Sequence, residues 1–593
     1  MKPEYSETAM MKKTHIPFAT VLSILACLPL FLFTILPTHA VEDRTSTHIR
    51  QLSREWFSTQ PIESRELLSP THVMVPMRDG IKLSTHIYKS PLSSQPQPAI
   101  VVRTPYDKDK LDIASFLLAL QDFVIVTQDM RGRFASEGED RVFQDDGWGE
   151  RQDGYDTIEW VASQSWCDGK VGTYGPSALG IAQGLTAGAN PPHLTCQLIT
   201  FAASKGWGQT AYQGGAFRRS LVEGWLSGNN SAHMLPIFKA HPTADAFWDA
   251  YDIESHYPVM DVPVLHIGGW YDCFQQGTIH NFIGLQNNGA EGARGNQRLI
   301  MGPWTHVNQL NQTQGQLKYP FNSVHLNELA LTLDWFKYWL LGEDNGAMDE
   351  PPIQYYVMGD VTNIDSAGNH WKTSATWPPI THTASLYLQP GNLLSSRPAT
   401  SESNFEFQAD PSDPVPTIGG LNLEIPAGPH DQTSLESRAD TLVFSTPILE
   451  EPVEVVGPVK AILYASTNLT DTDLTVRLTD VYPDGRSMLV LDGIQRASFR
   501  HSGTSPNPIE PGQIHEYTID LWSTGIVFDK GHQIRIIIAN SNYPRFDLNP
   551  AYADLASGES IVTTIHSGPD SPSRLVLPTN AFQQTGIHAW DRY

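Results

Sequence analysis

The feature that most constrains this chain is one serine between two glycines, in the run at residues 171–180 (VGTYGPSALG). An apolar, strand-like stretch leads into Ser177, and a small-residue, helix-like stretch follows it at residues 178–187. This order is typical of a nucleophile elbow, a tight strand-to-helix turn that exposes a serine hydroxyl and needs small residues around it. The usual elbow has glycine two residues after the serine, whereas Leu179 stands there and the glycine is Gly180. The run predicts a nucleophilic serine, although this spacing alone is only moderately specific.

The pattern of apolar residues changes once along the chain. Between residues 72 and 341, short apolar runs alternate with helical patterns, which predicts a mostly parallel sheet covered on both faces. Past residue 351, short β runs alternate with turns rich in Pro, Gly, Asn and Asp, which predicts a sandwich or jelly roll. We therefore expect a doubly wound α/β-hydrolase sheet at residues 71–350, a helical cap inserted at residues 204–258, and a β jelly-roll domain at residues 351–593.

The N-terminus has the pattern of a secretory signal peptide. Two lysines precede an apolar stretch at residues 16–36, and the small residue Ala40 stands before a polar segment. We predict that residues 1–40 are removed and that the mature chain is periplasmic or secreted. The alternatives are an uncleaved membrane anchor, since about 20 apolar residues span a bilayer, and a weaker lipoprotein pattern at Cys27.

The chain is acidic. Its formal net charge is −25, from 39 Lys and Arg against 64 Asp and Glu. Because anionic polymers are repelled by such a charge, we expect no nucleic-acid partner, and we expect no membrane partner after signal cleavage. The sequence does not indicate an oligomeric state.

Three cysteines follow the predicted signal peptide, and export permits disulfides. Cys167 and Cys196 stand at the starts of two successive predicted strands. A disulfide between them is one expectation, and two separate buried thiols are the other. Cys273 stays unpaired in both.

Two further strand ends supply the partners that a serine nucleophile needs. A serine hydroxyl is a weak nucleophile at neutral pH and requires a base, itself oriented by a third group. Asp272 follows the predicted strand at residues 262–267, and His306 follows the predicted strand at residues 298–301. The chain order serine, acid, histidine is the one that enzymes with a nucleophile elbow use. We therefore predict a catalytic triad of Ser177, Asp272 and His306.

Four further segments complete a recognisable pattern. They are residues 103–108 (RTPYDK), 128–138 (QDMRGRFASEG), 166–172 (WCDGKVG) and 542–546 (NYPRF). Together with the serine, aspartate and histidine segments, they resemble the cocaine esterase and X-Pro dipeptidyl peptidase family of serine hydrolases over most of the mature chain. The Ser-x-x-Gly spacing is similar to that family's own elbow.

The resemblance implies an oxyanion hole with two donors. One is a tyrosine hydroxyl, at the position of Tyr106, and the other is the backbone N–H of the residue after the nucleophile, at the position of Ala178. Family members commonly carry an aromatic residue in place of Ala178. The backbone donor is unaffected by this change, but one wall of the pocket should be more open.

The substrate class is less constrained than the chemistry. Relatives that accept α-amino substrates hold the ammonium with carboxylates, since a buried cation needs opposite charge nearby. At the corresponding places this chain has residues 209–210 (QT) and residues 273–276 (CFQQ), although Glu223 and Asp252 in the cap leave the question open. We expect an esterase or acylase that acts on a neutral small-molecule ester or amide, or on a short peptide, through an acyl-enzyme. No cofactor and no metal is expected, since no histidine has a partner at zinc-site spacing.

Two alternatives are kept. The enzyme alternative is an X-Pro dipeptidyl aminopeptidase or an α-amino acid ester hydrolase, which carboxylates from the cap would support. The alternative of another class is a carbohydrate- or surface-binding protein, because jelly rolls often serve as lectin modules. The complete predicted triad argues against a protein that only binds, because adhesion does not require it.

Overall fold

The computed structural model describes residues 70–90, 93–111, 121–325, 328–555 and 559–581. The predicted signal peptide, residues 1–40, lies outside the described residues. Within those five ranges, no helix is both long enough and apolar enough to cross a bilayer.

The first half of the chain is built on a large sheet. In chain order its strands are β1 (Thr71–Pro76), β2 (Lys82–Tyr88), β3 (Gln97–Thr104), β4 (Val124–Asp129), β5 (Cys167–Pro176), β6 (Leu194–Thr200), β7 (Tyr212–Gln213), β8 (Ala216–Phe217), β9 (Val264–Tyr271), β10 (Arg298–Thr305), β11 (Thr313–Gln314), β12 (Leu317–Lys318), β13 (Ile353–Val357) and β14 (His370–Ser374). The described strands form a ten-stranded sheet in the order β1-β2-β4-β3-β5-β6-β9-β10-β13-β14, while β7–β8 and β11–β12 pair separately. The pairs β1–β2, β2–β4 and β13–β14 are antiparallel and the other pairs of the large sheet are parallel. The predicted mostly parallel sheet is therefore confirmed.

Helices connect the strands of this sheet. In chain order they are α1 (Asp153–Ala162), α2 (Ala178–Gly188), α3 (Arg219–Gly228), α4 (Leu235–Lys239), α5 (Gln275–Asn288) and α6 (Glu328–Phe336). Helices α2 and α5 each join two parallel neighbours, as parallel pairing requires. Every residue of β3 and of β4 is buried, because a parallel sheet is covered on both faces.

The segment between β6 and β9 is mostly helical. It holds α3, α4, the small hairpin β7–β8 and three short 3-10 helices, Ala232–Met234, Ala246–Tyr251 and Ile253–Val259. Its aromatic side chains pack into a cluster of their own, in which Tyr212, Phe238 and Trp248 contact one another. We refer to this segment, residues 204–258, as the cap.

The rest of the chain, from β15 onward, is almost entirely β structure, and we refer to it as the β-rich half. Its elements are β15 (Thr383–Gln389), β16 (Leu393–Ser395), β17 (Ser403–Ala409), α7 (Thr433–Glu436), β18 (Leu442–Ser445), β19 (Val453–Thr467), β20 (Asp473–Val481), β21 (Ser487–Arg496), β22 (His515–Phe528), β23 (Gln533–Ala539), β24 (Ile561–Ser567) and β25 (Arg574–Pro578). The described strands pair in the order β17-β24-β19-β25-β15-β16-β18-β23-β20-β21, and β22 pairs with β19. The predicted division of the chain into two domains at residue 350 stays a prediction. Strands β13 and β14 follow residue 350 in the chain and still belong to the large sheet.

The β-rich half supports one strand end of the large sheet. The Tyr271 hydroxyl, in β9, donates a hydrogen bond to the Leu489 carbonyl of β21 at 3.1 Å, and the neighbouring Trp270 indole donates one to the Tyr356 carbonyl of β13, within the large sheet, at 2.7 Å. Both rings belong to a core cluster that continues into the β-rich half. The end of β9, which leads directly to Asp272, is therefore held by both halves of the protein.

The cysteines of the two neighbouring strands are separate buried thiols. Cys196 lies opposite Gly172 of β5, five residues beyond Cys167. At about 3.3 Å per residue, this register separates the two cysteines by roughly 16 Å along the strands, well beyond the roughly 7 Å that a disulfide tolerates. The disulfide expectation is wrong, since the strands do not start at the same level.

Candidate active site

Ser177 occupies a strained turn between β5 and α2. Its backbone has φ 60° and ψ −125°, a conformation that a residue with a side chain rarely adopts. The Ser177 N–H donates a hydrogen bond to the Thr200 carbonyl at 2.8 Å, which ties the turn to the end of β6. The predicted strand–turn–helix order around the serine is confirmed.

The glycine spacing follows from packing around this turn. Gly175 has φ +146°, and a Cβ there would lie 2.6 Å from the Cβ of Leu179. A Cβ on Gly180 would lie 2.9 Å from the Cβ of Ala202, just past β6. The helix therefore passes close to the end of β6 three residues after Ser177, and Leu179 fills the space over Gly175. This accounts for a Ser-x-x-Gly elbow in place of the usual spacing.

The structure brings the three predicted triad residues together. His306 Nε2 lies 2.9 Å from Ser177 Oγ, and His306 Nδ1 lies 2.6 Å from Asp272 Oδ1. Asp272 follows β9 directly and His306 follows β10 directly, so three strand ends meet at one edge of the sheet. The rings of Phe201 and Phe274 pack against the imidazole, with centroids at 5.7 and 5.6 Å. The side chain of His306 is 4% exposed, so little water reaches the pair that it forms with Asp272.

The two predicted oxyanion donors lie beside Ser177. Tyr106 lies in the loop after β3, and desolvation raises the pKa of its hydroxyl to about 12, while hydrogen bonds with Trp225 and Ser177 partly oppose that rise. The phenol thus stays protonated over the range in which hydrolases work. Ala178 is the first residue of α2, where a backbone N–H has no partner within the helix.

Sequence reasoning missed Trp225. Its indole N–H donates to the Tyr106 hydroxyl oxygen at 2.8 Å, across the boundary between the cap and the sheet. The two residues are 119 positions apart, and tryptophan in a cap helix is ordinarily a packing residue. No local pattern points to this hydrogen bond.

An apolar cavity opens beside Ser177, between the cap and the sheet. Its walls include the side chains of Phe143, Ile181, Leu221, Trp225, Phe238 and Trp248. The described residues that line it include no carboxylate, and Lys205 is the charged side chain among them. The Lys205 ammonium lies 3.0 Å from Glu254 Oε2, so its charge is already paired.

The two cap carboxylates left open by the sequence do not line this cavity. Glu223 pairs with Arg219 at 3.0 Å and with Lys239 at 2.5 Å. Asp252 lies 4.0 Å from Lys205. A different carboxylate, on Glu424 of the β-rich half, lies close enough for its charge to contribute to the raised pKa of Tyr106.

Cys273 lies on the far side of His306 from Ser177. Its Sγ is 3.7 Å from His306 Nδ1. Burial, and then the negative charge of Asp272, raise the pKa of this thiol well above its ordinary value. The guanidinium of Arg218, which is 1% exposed, donates to the Cys273 carbonyl at 2.9 Å and holds this loop against the cap.

Comparison with known families matches both halves of the chain. The family model for X-Pro dipeptidyl-peptidase (S15 family) matches residues 79–235 and 229–308. The model for the X-Pro dipeptidyl-peptidase C-terminal non-catalytic domain matches residues 345–576. Cocaine esterase of Rhodococcus sp. (strain MB1 Bresler) is 32% identical over 581 residues, which is 86% of this chain and 98% of that relative.

Solved structures share the fold at lower identity. An aminopeptidase from a marine sediment Thaumarchaeota archaeon has a TM-score of 0.75 at 23% identity, covering 91% of this chain and 99% of its own. An α-amino acid ester hydrolase has a TM-score of 0.73 at 24% identity, covering 86% of this chain and 96% of its own. The predicted fold class, an α/β-hydrolase with a C-terminal jelly roll, is confirmed.

Proposed function

We propose that this chain, which belongs to the serine hydrolase family of cocaine esterase and the X-Pro dipeptidyl-peptidases, is an esterase or acylase for neutral substrates with an apolar acyl group. Membership of the family makes it a serine hydrolase with esterase or peptidase activity. The narrower proposal depends on one observation: the cavity that opens on Ser177 is apolar, and its described lining holds no carboxylate.

The proposed reaction starts at Ser177. His306 Nε2, at 2.9 Å, takes the proton of the Ser177 hydroxyl as its oxygen attacks the acyl carbon. Asp272 accepts a hydrogen bond from the Nδ1–H of His306, which keeps the lone pair on Nε2 and stabilises the imidazolium that forms. His306 then protonates the leaving group, and in the second half of the reaction it activates water against the acyl-enzyme.

Tyr106 and Ala178 carry the second role. Their O–H and N–H stabilise the oxygen that becomes negative in the tetrahedral intermediate, and one such donor contributes about 10²–10³ in rate. Because Trp225 donates to the Tyr106 oxygen, the proton of Tyr106 is left for the substrate. Trp225 thereby links the cap to the oxyanion hole.

The cavity favours uncharged acyl groups. Apolar surface removed from water contributes about 25 cal/mol per Å², whereas an ammonium without a counter-ion is strongly disfavoured in such surroundings. The small side chain of Ala178 leaves room beside Ser177. A small-molecule ester or amide with a branched aliphatic or aromatic acyl group fits these walls.

A second candidate is favoured by Glu424. The charge of its carboxylate contributes to the raised pKa of Tyr106, and Glu424 is not among the described residues that line the apolar cavity. A substrate with an amino group directed toward Glu424 would find a counter-ion there. This supports an α-amino ester hydrolase or an X-Pro dipeptidyl aminopeptidase as the alternative.

Paired substrates test the choice. We expect p-nitrophenyl butyrate and benzoate to be hydrolysed with a much higher kcat/KM than Gly-Pro-p-nitroanilide and phenylglycine methyl ester. The reverse order would overturn the neutral-substrate proposal, and Glu424→Gln should then lower the rate on the amino substrates alone. Ser177→Ala is the blank for every substrate.

Export is part of the proposal. The signal pattern at residues 1–40 supports removal of this segment and a periplasmic or secreted enzyme. Expression of the full chain with N-terminal sequencing of the exported product checks it, and a product that begins at Met1 would contradict it.

A further inference from the structure

Three side chains of the types that ligate metals, those of Asp272, Cys273 and His306, lie close together. One ligand atom from each of Asp272, Cys273 and His306 lies within 4.8 Å of the other two. His306 Nδ1 is 2.6 Å from Asp272 Oδ1 and 3.7 Å from Cys273 Sγ. Thiolate, imidazole and carboxylate together are a ligand set for zinc and for softer divalent ions.

A second observation comes from the carboxylate itself. Asp272 has no exposed surface, and its Oδ2 has no hydrogen-bond partner among the described residues. Buried carboxylate oxygens are normally hydrogen-bonded, so an orphaned one beside a thiol and an imidazole nitrogen needs an explanation. The cluster therefore has an unused acceptor as well as suitable ligand atoms.

We propose that Asp272, Cys273 and His306 form an inhibitory binding site for a soft divalent ion, Zn²⁺ or Cd²⁺, on the face of His306 away from Ser177. The spacing fits such an ion. With bonds of about 2.3 Å to sulfur and 2.0 Å to nitrogen, tetrahedral zinc separates these two atoms by about 3.5 Å. The separation of Cys273 Sγ from His306 Nδ1 is 3.7 Å. The short contact between Asp272 and His306 must widen, because the ion takes the place of the proton between them.

The protons and charges of this step balance. The thiol of Cys273 loses its proton to solvent, and the proton on His306 Nδ1 moves to Nε2, so the imidazole stays neutral. A dication then has two anionic ligands, a thiolate and a carboxylate, so the ion and its ligands together are neutral, while the guanidinium of Arg218 on the Cys273 carbonyl stays a separate positive charge. Neutrality matters here because an unbalanced charge is costly at a buried position. Hard cations such as Mg²⁺ prefer all-oxygen ligands and are not expected to bind.

Binding would stop the reaction through the tautomer of His306. With the metal on Nδ1 and the proton on Nε2, the imidazole has no lone pair to accept the proton of Ser177. This consequence depends on the proposed role of His306 as general base. Metal binding itself does not depend on it.

Direct binding is measured on the full chain carrying Ser177→Ala, so that the readout is independent of hydrolysis. We expect Cd²⁺ to bind with one ion per chain and to produce the ultraviolet charge-transfer absorption of a cadmium–thiolate bond. Adding Cys273→Ala should lower the affinity for Cd²⁺ by at least roughly 10–100-fold. That is the loss caused by removing a group that only hydrogen-bonds to a metal ligand, and Cys273 is a ligand itself. Cys273→Ser, in which the side chain keeps nearly the same size, is the second variant to test if Cys273→Ala does not fold.

Cys196→Ala is the matched control. Cys196 is equally buried, in β6, and belongs to no such group of ligands among the described residues. Cadmium absorption that survives both Cys273 substitutions, or that disappears with Cys196→Ala, would overturn the site.

The inhibition is measured on the chain with Ser177 intact, after incubation with Zn²⁺, Cd²⁺ or Mg²⁺, and each variant is compared with its own metal-free rate. We expect Zn²⁺ and Cd²⁺ to abolish ester hydrolysis, EDTA to restore it, and Cys273→Ala to resist the loss. Cysteine-dependent binding without loss of rate would overturn the inhibitory role. A wild-type chain that hydrolyses none of the substrates would instead contradict the proposed function, and the cadmium titration would still decide the metal site.

Discussion

The surroundings of Ser177 differ on its two sides, the sheet side and the cap side, in polarity and in the elements that form them. On one side, Asp272 and His306 are delivered by the ends of β9 and β10, and their contacts are short, polar and buried. On the other side, the cap encloses an apolar cavity whose shape depends on side chains from separate helices. The comparison teaches that the strands of the sheet position the proposed catalytic groups, while packing of the cap shapes the cavity that we propose for the acyl group.

The largest expected effect is on the sheet side. Ser177→Ala should lower kcat by about 10⁴–10⁶, as for other triad serines, and should abolish labelling by a fluorophosphonate probe. Ser227→Ala, at an exposed position of the cap helix α3, is the matched control and should keep full activity. Turnover that persists in Ser177→Ala would mean that the nucleophile has been misassigned.

Asp272→Asn should come next, with a loss of about 10⁴ in kcat. An amide donates to His306 Nδ1 where the carboxylate accepts, so the imidazole takes the wrong tautomer although its position is kept. Circular dichroism should show an unchanged fold. The exposed cap variant Asp249→Asn is the control, and an equal loss of rate in both variants would argue against a role for Asp272 at His306.

A third prediction concerns the hydrogen bond that joins the two sides. Tyr106→Phe removes an oxyanion donor and should lower kcat by about 10²–10³ with little change in KM. Trp225→Phe keeps an aromatic wall but removes the donor to Tyr106, so its loss should be smaller and should nearly vanish when Tyr106 is already phenylalanine. Additive losses in this double-mutant cycle would show that Trp225 acts only as a wall.

The fourth prediction concerns a substitution that introduces a negative charge into the cavity on the cap side. Thr210 lines the cavity, and Thr210→Asp places a carboxylate where the described lining has none. We expect the ratio of kcat/KM between phenylglycine methyl ester and p-nitrophenyl benzoate to rise by about tenfold, the equivalent of roughly 1.4 kcal/mol. Thr210→Asn is the uncharged control. A ratio that moves equally in both variants would indicate a change of shape and not of charge.

The smallest expected effect is that the pH profile of kcat shows no alkaline loss near pH 10. Tyr106 donates only while protonated, and its pKa of about 12 lies above the ordinary value of about 10. The raised pKa keeps the donor through pH 10, so kcat should show no alkaline loss at the ordinary tyrosine value. A fall near pH 10 that is absent from Tyr106→Phe would show that this hydroxyl is more solvated than its surroundings indicate.

Much of the sheet side was predictable from local patterns. Ser177, Asp272 and His306 each follow a short apolar run that forms a strand, as predicted. The cysteine pair shows where local pattern stops. Cys167 and Cys196 each mark a strand start, but the register that separates them depends on how β5 and β6 pair.

The residues that were missed are all nonlocal. Trp225 meets Tyr106 across 119 positions, and Glu424 reaches the same tyrosine from the other half of the chain. Cys273 was seen as an unpaired thiol, but its distance from His306 depends on the close approach of β9 and β10. Sequence spacing carries no information on such contacts.

By itself, the sequence determined the elbow, the chain order of the proposed triad and the class of fold, because these follow from local features: strand ends, glycines and apolar runs. Only the tertiary structure decided the apolar cavity, the hydrogen bond from Trp225 to Tyr106, and the thiol behind His306. The physical reason is that these features are distances between side chains on separate elements, set by how the cap and the strands pack.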